Sequence, residues 1–252
     1  MGYMDDGSYE IDRAWECTDE SEDKASVSRA LRWFKKAAAK GNSAAMACIG
    51  DIYYDRKDGK NAYFWYLEAA LGGNVAGMFN LAYFYHTGFY VKQDHAKALS
   101  YFHDLYLCGV EDPEFFADYD WLFTECCFNL GVCYEYGYGC DVSYEDAEFF
   151  YYEGYCNSDG FCATNLGRMY ALGLGREKDF EKAFYYYCKG AELGDPTAYL
   201  DVGYCYEAGQ GVEKNLEMAK DYYREGAERG SEKAAELLAN LEKGISNVSG
   251  SE

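Results

Sequence analysis

Polar side chains recur at a fixed spacing along the chain, where they could recognise another molecule by hydrogen bonding. Asn129 and Asn165 are 36 residues apart, and Arg168 lies one helical turn beyond Asn165. An amide side chain both donates and accepts hydrogen bonds, so spaced amides suit the backbone of an extended peptide. A guanidinium binds a carboxylate through two parallel hydrogen bonds. The spacing therefore predicts peptide recognition, with Arg168 receiving a carboxylate such as a peptide C-terminus.

Equivalent positions in other parts of the chain carry further amide, acidic and aromatic residues. The predicted partner-binding residues are Phe79, Asn80, Tyr83, Phe128, Asn129, Asn165, Arg168, Asp201 and Tyr204. Two alternatives remain open from the sequence. The amides could tie neighbouring helices together, and Arg168 could form a salt bridge to a nearby acidic side chain.

Motifs for catalysis are absent from the sequence. It contains no G-x-x-x-x-G-K-[ST], no H-E-x-x-H and no G-x-S-x-G. Ser21-x-x-Lys24 matches S-x-x-K, but it lies in an acidic segment and has no K-T-G partner. No C-x-x-C occurs, and His86, His95 and His103 do not combine with cysteines at metal-ligand spacing. We therefore predict a non-enzymatic protein without a cofactor or a metal site.

The elements that carry these residues are repeats with a period of 36 residues. Three segments share the pattern of an apolar residue, a glycine, two variable residues and a tyrosine, and their anchor glycines are Gly131, Gly167 and Gly203. Each segment is followed by Gly-x-Gly and, 16 residues after the anchor, by an alanine ahead of an aromatic pair. Weaker copies are anchored at Gly50 and Ala82. A period of this size is typical of stacked supersecondary units, so a solenoid is predicted.

Each copy is predicted to be a hairpin of two helices. Leu130 and Tyr134 are four residues apart, so they share one face of the first helix. The anchor glycine places no side chain where a neighbouring helix must come close. Gly137-x-Gly139 breaks the helix, because glycine accepts backbone angles that other residues resist. The glycines expected to end the second helices are Gly41, Gly73, Gly109, Gly194 and Gly230. Five full copies are flanked by two partial ones.

The repeated pattern resembles the Sel-one-like repeat (SLR) family, which is related to tetratricopeptide repeats. Residues 197–230 match the family pattern best, and the resemblance covers roughly 28–240. It implies an all-α, right-handed superhelix whose first helices line a concave surface. It also implies a role as a scaffold or adaptor in protein complexes. In tetratricopeptide proteins the corresponding face carries Asn, Lys and Arg side chains that bind an extended peptide. By this resemblance, the same face is the predicted binding surface here.

Three regions are expected along the chain. Residues 1–27 form an acidic N-terminal tail or a frayed cap, residues 28–243 form the solenoid, and residues 244–252 form a flexible C-terminal tail. An insertion at about 110–122 stretches the spacing between copies. Its mixture of acidic and aromatic residues, such as Phe115 and Trp121, suits an interaction loop. The alternative is an extra helical turn that packs on the solenoid.

The charge of the chain narrows the expected partners. A net charge of −21 argues against nucleic acid and against anionic membrane surfaces. The expected partner is a protein or peptide that is basic or presents a free carboxylate. No stretch approaches the roughly 18 apolar residues of a membrane span, and no signal peptide is visible. We therefore expect a cytoplasmic protein.

Eleven cysteines are spread through the chain. Without a visible signal peptide, reduced thiols are the expectation, and several cysteines occupy positions that suit small apolar residues. The leading hypothesis is a cytoplasmic, non-catalytic adaptor that holds a partner through the concave face or the insertion. The alternative is an exported, disulfide-stapled protein acting as an effector or cell-wall-associated factor. Counting free thiols separates the two hypotheses.

Overall fold

The structure is a computed structural model that describes residues 6–20, 24–111 and 120–244. Within these ranges it contains α-helices and no β-strand. The helices are α1 (Ser8–Glu20), α2 (Lys24–Ala38), α3 (Ser43–Asp55), α4 (Gly59–Leu71), α5 (Val75–Thr87), α6 (His95–Glu111), α7 (Asp120–Tyr136), α8 (Tyr144–Cys156), α9 (Gly160–Leu172), α10 (Phe180–Glu192), α11 (Ala198–Ala208), α12 (Leu216–Glu228) and α13 (Glu232–Glu242). None of these helices combines the length and the apolar composition that crossing a membrane requires.

The helices form two compact units, Met1–Leu122 and Phe123–Glu252. In the first unit, α1 pairs with α2, α3 with α4, and α5 with α6. In the second, α7 pairs with α8, α9 with α10, and α11 with α12, and α13 packs on α12. Successive hairpins pack on each other within each unit, which buries the faces that a single hairpin leaves open. The predicted all-α fold of stacked helical hairpins is therefore confirmed.

Each anchor glycine makes room for an aromatic ring of its own hairpin. A β-carbon added at Gly131 would lie 2.5 Å from the ring of Tyr151, and one added at Gly167 would lie 2.7 Å from the ring of Tyr187. Real β-carbons do not approach other atoms so closely. The complete set of pairs is Gly50 with Tyr66, Gly131 with Tyr151, Gly167 with Tyr187 and Gly203 with Tyr223. The predicted close approach is therefore present, and its main partner is a tyrosine ring of the second helix.

In the second unit, the tyrosine that follows each anchor glycine stacks on a ring of the second helix. Tyr134 lies 5.6 Å from Phe150, with the two rings 8° from parallel. Tyr170 and Tyr186 stack in the same way at 5.6 Å and 10°. These aromatic pairs join the two helices of a hairpin, because offset stacked rings attract one another beyond their buried area. Most of the repeated tyrosines thus serve the fold.

Glycine sets the turn between the two helices. Gly209 ends α11 with a φ of 72°, and Gly211 follows with a φ of 71°, in the left-handed region. A β-carbon at Gly211 would lie 1.9 Å from the carbonyl oxygen of Phe180, so no larger residue fits there. The connection is shorter in the copy anchored at Gly50, where α3 ends at Asp55 and α4 begins at Gly59.

Two parts of the chain differ from the simplest sequence interpretation. Gly109 does not end its helix, because α6 continues to Glu111. Residues 8–20, expected to be an acidic tail or a frayed cap, form α1, whose Ala14 is buried against α2 and α3. The ends of the expected insertion are helical, and its residues 112–119 lie outside the described residues, as do residues 245–252 of the expected C-terminal tail.

All eleven cysteines fall within the described residues, where the structure has them as free thiols. Five of them are buried, and Cys156 is exposed. Burial raises the pKa of Cys133 and of Cys205 to about 12. A buried thiol is a poor nucleophile near neutral pH, because the thiolate is the reactive form.

A thiol-labelling experiment tests this arrangement. The native protein should react fastest at Cys156, and the unfolded protein should yield all eleven thiols without a reductant. The Cys156→Ser variant is the control, and it should lose the fast phase alone. A count well below eleven in the unfolded, unreduced protein would show disulfides and would favour the exported alternative.

Candidate partner-binding surface

The predicted binding residues lie on first helices in both units. Phe79, Asn80 and Tyr83 lie on α5 in the first unit. Tyr83 is exposed, whereas Phe79 packs edge to face on Phe102 at 5.8 Å. Part of the Phe79 ring is therefore used for packing within the first unit and is not available to a partner. The other six residues lie on α7, α9 and α11 of the second unit.

The two amides bind their own helices. The Nδ2 of Asn129 donates to the carbonyl of Glu125 at 2.7 Å, and the Nδ2 of Asn165 donates to the carbonyl of Phe161 at 2.9 Å. Each bond spans four residues within one helix, so it does not tie two helices together. Phe128 connects the helices instead, with its ring 6.4 Å from that of Phe161.

Arg168 forms an ion pair that joins α9 to α7. Its Nη2 lies 2.5 Å from Oε2 of Glu135, whose side chain is only 3% exposed. The same oxygen accepts a hydrogen bond from the hydroxyl of Tyr151 at 3.0 Å. Arg168 also donates to Oδ1 of Asn165 at 3.0 Å. The guanidinium therefore has the salt bridge that was the alternative to carboxylate recognition.

A bond from a tyrosine to a carboxylate recurs beneath the first helices. The hydroxyl of Tyr151 donates to Glu135, and the hydroxyl of Tyr223 donates to Glu207 at 2.9 Å. Both glutamates lie four residues after an anchor glycine. In the copy between them this position is Ala171, and no described residue accepts a hydrogen bond from the equivalent Tyr187.

A cavity of about 330 Å³ lies next to Ala171, where α9, α10 and α11 meet. It brings together two of the predicted site residues, Asp201 and Tyr204, with others that the sequence did not single out. Its lining residues are Ala171, Leu172, Lys178, Phe180, Ala183, Tyr187, Asp201, Tyr204, Cys205 and Gln210. The lining thus combines apolar walls with a carboxylate, two phenols, an amide and an ammonium group.

Asp201 is the most strongly perturbed acid in this region. Burial and the nearby charge of Asp195 raise its pKa to about 7, and the guanidinium of Arg168 opposes the shift. Burial, followed by the charge of Asp201, raises the pKa of Tyr187. Near neutral pH the cavity therefore holds the neutral phenol of Tyr187 beside the carboxyl group of Asp201, which is partly protonated.

The shift of Asp201 gives a stability prediction. Because its pKa is above the ordinary 3.8, the folded chain holds more protons than the unfolded chain between about pH 4 and pH 7. The contribution of Asp201 to stability is therefore full below that window and falls as pH rises through it. Asp201→Asn should remove this fall, so the variant gains stability relative to wild type above about pH 7. Urea unfolding at several pH values measures the difference, and a variant that follows the wild-type curve would contradict it.

Ala171, which the sequence analysis did not identify as a site residue, could have been found by comparing the copies with one another. The position four after the anchor is glutamate in two copies and alanine at residue 171. That difference gains meaning once a tyrosine hydroxyl is known to reach this position. Lys178 and Gln210 lie in the turns, where the repeat pattern gives no signal. Among the described residues, no cluster of three or more His, Cys, Asp or Glu side chains is placed to hold a metal ion.

A protein-family comparison matches most of the chain. The model of the Sel1 repeat matches residues 23–42, 45–74, 75–103, 124–159, 160–195 and 196–231. These matches cover the leading partial copy and the five full copies found in the sequence. A comparison with curated proteins finds no match.

Solved structures share the fold. A protective antigen with an SLR fold, c5321 of uropathogenic Escherichia coli, is 25% identical with a TM-score of 0.79 over 94% of this chain. The chain covers 49% of that protein, about half its length. A Sel1 repeat protein from Oxalobacter formigenes is 23% identical with a TM-score of 0.78, and 95% of this chain covers 91% of that one. The apo quorum sensor NprR of B. thuringiensis is 14% identical with a TM-score of 0.60, over 97% of this chain and 72% of that one. With matching repeats across both units, the chain belongs to the Sel1 repeat family.

Proposed function

We propose that the protein is a non-catalytic scaffold or adaptor that binds a protein or peptide partner along the first helices of its second unit. Sel1 repeat proteins generally mediate protein–protein interaction. The observation that carries the proposal for this chain is the cavity beside Ala171, where Tyr187 and Asp201 have no hydrogen-bond partner among the described residues. Polar groups that line a cavity and have no internal partner can bond to a ligand.

Apolar side chains on the same helices support a protein partner. Tyr136 at the end of α7 is 52% exposed, Phe161 on α9 is 49% exposed and Leu172 at the end of α9 is 54% exposed. Exposed aromatic and aliphatic groups beside polar ones are typical of protein interfaces. Asn129, Asn165 and Arg168 are proposed to border this surface, with Arg168 held in place by Glu135. Phe128 and Tyr204 are proposed to extend it along α7 and α11.

The net charge of the chain favours a basic partner, which we propose that it meets in the cytoplasm. With a net charge of −21, the chain attracts cationic segments and repels anionic ones. Exposed charges are screened within about 10 Å at 0.1 M salt. We therefore expect partner binding to weaken as salt is raised from low to physiological concentration. Binding that is insensitive to salt would place the affinity in apolar contacts instead.

A pull-down followed by mass spectrometry tests the surface. Leu172→Glu adds a charge at the proposed surface, and Phe149→Glu adds one at an equally exposed site on α8, a second helix. We expect Leu172→Glu to lose the partner and Phe149→Glu to retain it, while both variants melt like wild type. Equal recovery by all three proteins would exclude this surface. The segment from Phe115 to Trp121 would then be the remaining candidate, and most of it lies outside the described residues.

A further inference from the structure

We propose that the cavity beside Ala171 receives a cationic side chain, lysine or arginine, from the partner. The cation pairs with the carboxylate of Asp201, and one of its N–H groups donates to the hydroxyl oxygen of Tyr187. This inference rests on the proposed function, because it names the chemistry of the group that the second unit binds. It concerns one position on the surface and not the whole interface.

The space for this side chain follows from a comparison of equivalent hairpins. The rings of Tyr151, Tyr187 and Tyr223 pack on their anchor glycines alike, since an added β-carbon would lie 2.5 to 2.7 Å from each ring. Their hydroxyls therefore reach the same position of the first helix, four residues after the anchor. Glutamate fills that position in two hairpins. Ala171 ends at its β-carbon, so the volume that a carboxylate occupies elsewhere is part of the cavity.

Tyr187 lines the cavity with a hydroxyl group that has no hydrogen-bond partner among the described residues. The residue is 7% exposed, and it lines the cavity. A hydroxyl group that is free of internal partners can bond to a ligand that enters the cavity. Because burial raises the pKa of Tyr187, its phenol stays neutral and can accept an N–H.

The carboxylate of Asp201 favours a ligand group with a positive charge. Asp201 is half-buried and has no ion pair among the described residues. Arg168 is near enough to lower its pKa but is bound to Glu135. The groups that face Asp201 from the packed elements are Arg168 of α9, Tyr187 of α10, Asp195 before α11, Cys205 of α11, Lys178 of the turn after α9, and Arg229 at the end of α12. Arg229 is paired with Glu225. Lys178 is exposed, so its ammonium group can remain in solvent and leave Asp201 to the ligand cation.

A cation fits better than an anion for three reasons. An anion would lie beside Asp201 and Asp195, where like charges repel. A cation gains from the phenol ring of Tyr204, which lines the same cavity, because aromatic faces attract positive charge. The net charge of −21 draws cationic segments to the chain as a whole. The volume of about 330 Å³ is at the low end of ligand pockets, which suits one side chain and excludes a folded element.

The test uses short blocked peptides and the full chain labelled with ¹⁵N. The probes are acetyl-Gly-Gly-X-Gly-Gly-amide peptides in which X is arginine, lysine, citrulline or glutamate. Citrulline keeps the shape of arginine and removes its charge. The arginine and lysine peptides should shift the backbone amides of Leu172, Tyr204 and Cys205 in a saturable manner. The citrulline and glutamate peptides should shift them at least about tenfold less at equal concentration.

Two variants and a control assign the effect to the cavity. Asp201→Asn keeps the shape and should weaken binding of the arginine peptide at least about tenfold. Ala171→Glu places a carboxylate where Glu135 and Glu207 have theirs, so it should fill the cavity and abolish the shifts. Asp221→Asn removes an exposed carboxylate of α12 and should bind like wild type. Binding should also strengthen from about pH 6 to about pH 8, as Asp201 loses its proton.

Each contrary outcome overturns the inference. Preferential binding of the glutamate peptide would show an anion site. Shifts that persist in Asp201→Asn would place the cation elsewhere, and the absence of shifts with any peptide would remove the site. The proposed function is judged separately. Partner recovery that depends on Leu172 but not on Asp201 rejects the cation site alone, whereas recovery that depends on neither rejects both proposals.

Discussion

Gly167→Leu should lower the free energy of unfolding by about 1–3 kcal/mol, the usual cost of overpacking a core. The first atom of the new side chain would lie 2.7 Å from the ring of Tyr187 and 3.0 Å from the carbonyl oxygen of Ala183. The ring of Tyr187 must therefore shift, and the backbone of α10 must give way, to admit the new side chain. Because repeats interact mainly with their neighbours, the C-terminal hairpins of the second unit should then melt apart from the rest.

Urea and thermal unfolding of four proteins measure this effect. The wild type, Gly167→Leu, Tyr187→Ala and the double variant form a cycle that isolates the contact. If the ring of Tyr187 is the obstacle, Gly167→Leu costs less when Tyr187 is alanine. An unchanged melting curve for Gly167→Leu would mean that the tight packing at the anchor glycine is absent. Equal costs in both backgrounds would assign the clash to the backbone of Ala183.

Glu135→Ala should destabilise the second unit by about 3 kcal/mol, since it removes the buried, hydrogen-bonded carboxylate of a partly buried ion pair. The hydroxyl of Tyr151, which is fully buried, would lose its acceptor, and Arg168 would lose its counter-charge. Glu225→Ala is the control, because its ion pair with Arg229 is exposed and should contribute less than about 1 kcal/mol. Urea unfolding measures both. Equal costs would show that the buried network adds nothing beyond a surface pair.

Tyr151→Phe refines this prediction. It removes the hydroxyl group that Glu135→Ala would otherwise leave without an acceptor. Glu135→Ala should therefore cost less in the Tyr151→Phe background. The same network changes how Arg168→Ala is to be interpreted. That variant should lower stability as well as partner binding, because Glu135 would be left buried without its cation. Loss of binding by Arg168→Ala therefore needs a stability measurement beside it.

Most of the fold could be predicted from the repeated spacing. A glycine followed by an alanine 16 residues later recurs because a tyrosine ring must sit on the glycine, and such a contact leaves the same mark in every hairpin. The end of α6 could not be predicted in this way. Gly109 is at the position of the glycines that end other second helices, yet the helix continues past it to Glu111. Glycine permits a helix end without requiring one.

The candidate site was predicted only in part. Asp201 and Tyr204 were identified by their register, and the structure places both on one cavity. Ala171 and Tyr187 were missed, because an alanine in a helix carries no signal of its own. Its meaning comes from a glutamate that is present in the neighbouring copies and absent here. The salt bridge of Arg168 was an open alternative, because the distance to Glu135 depends on how two hairpins pack.

Photo-crosslinking from two positions tests partner binding by the first helices most directly. Benzoylphenylalanine would replace Leu172, which is 54% exposed on α9, or Phe149, which is 49% exposed on α8. Both proteins would be irradiated in a lysate of the cells that produce the chain, and adducts would be identified by mass spectrometry. We predict a specific adduct from position 172 that a wild-type competitor suppresses, and none from position 149. Adducts from position 149 alone, or equal adducts from both positions, would contradict binding along the first helices.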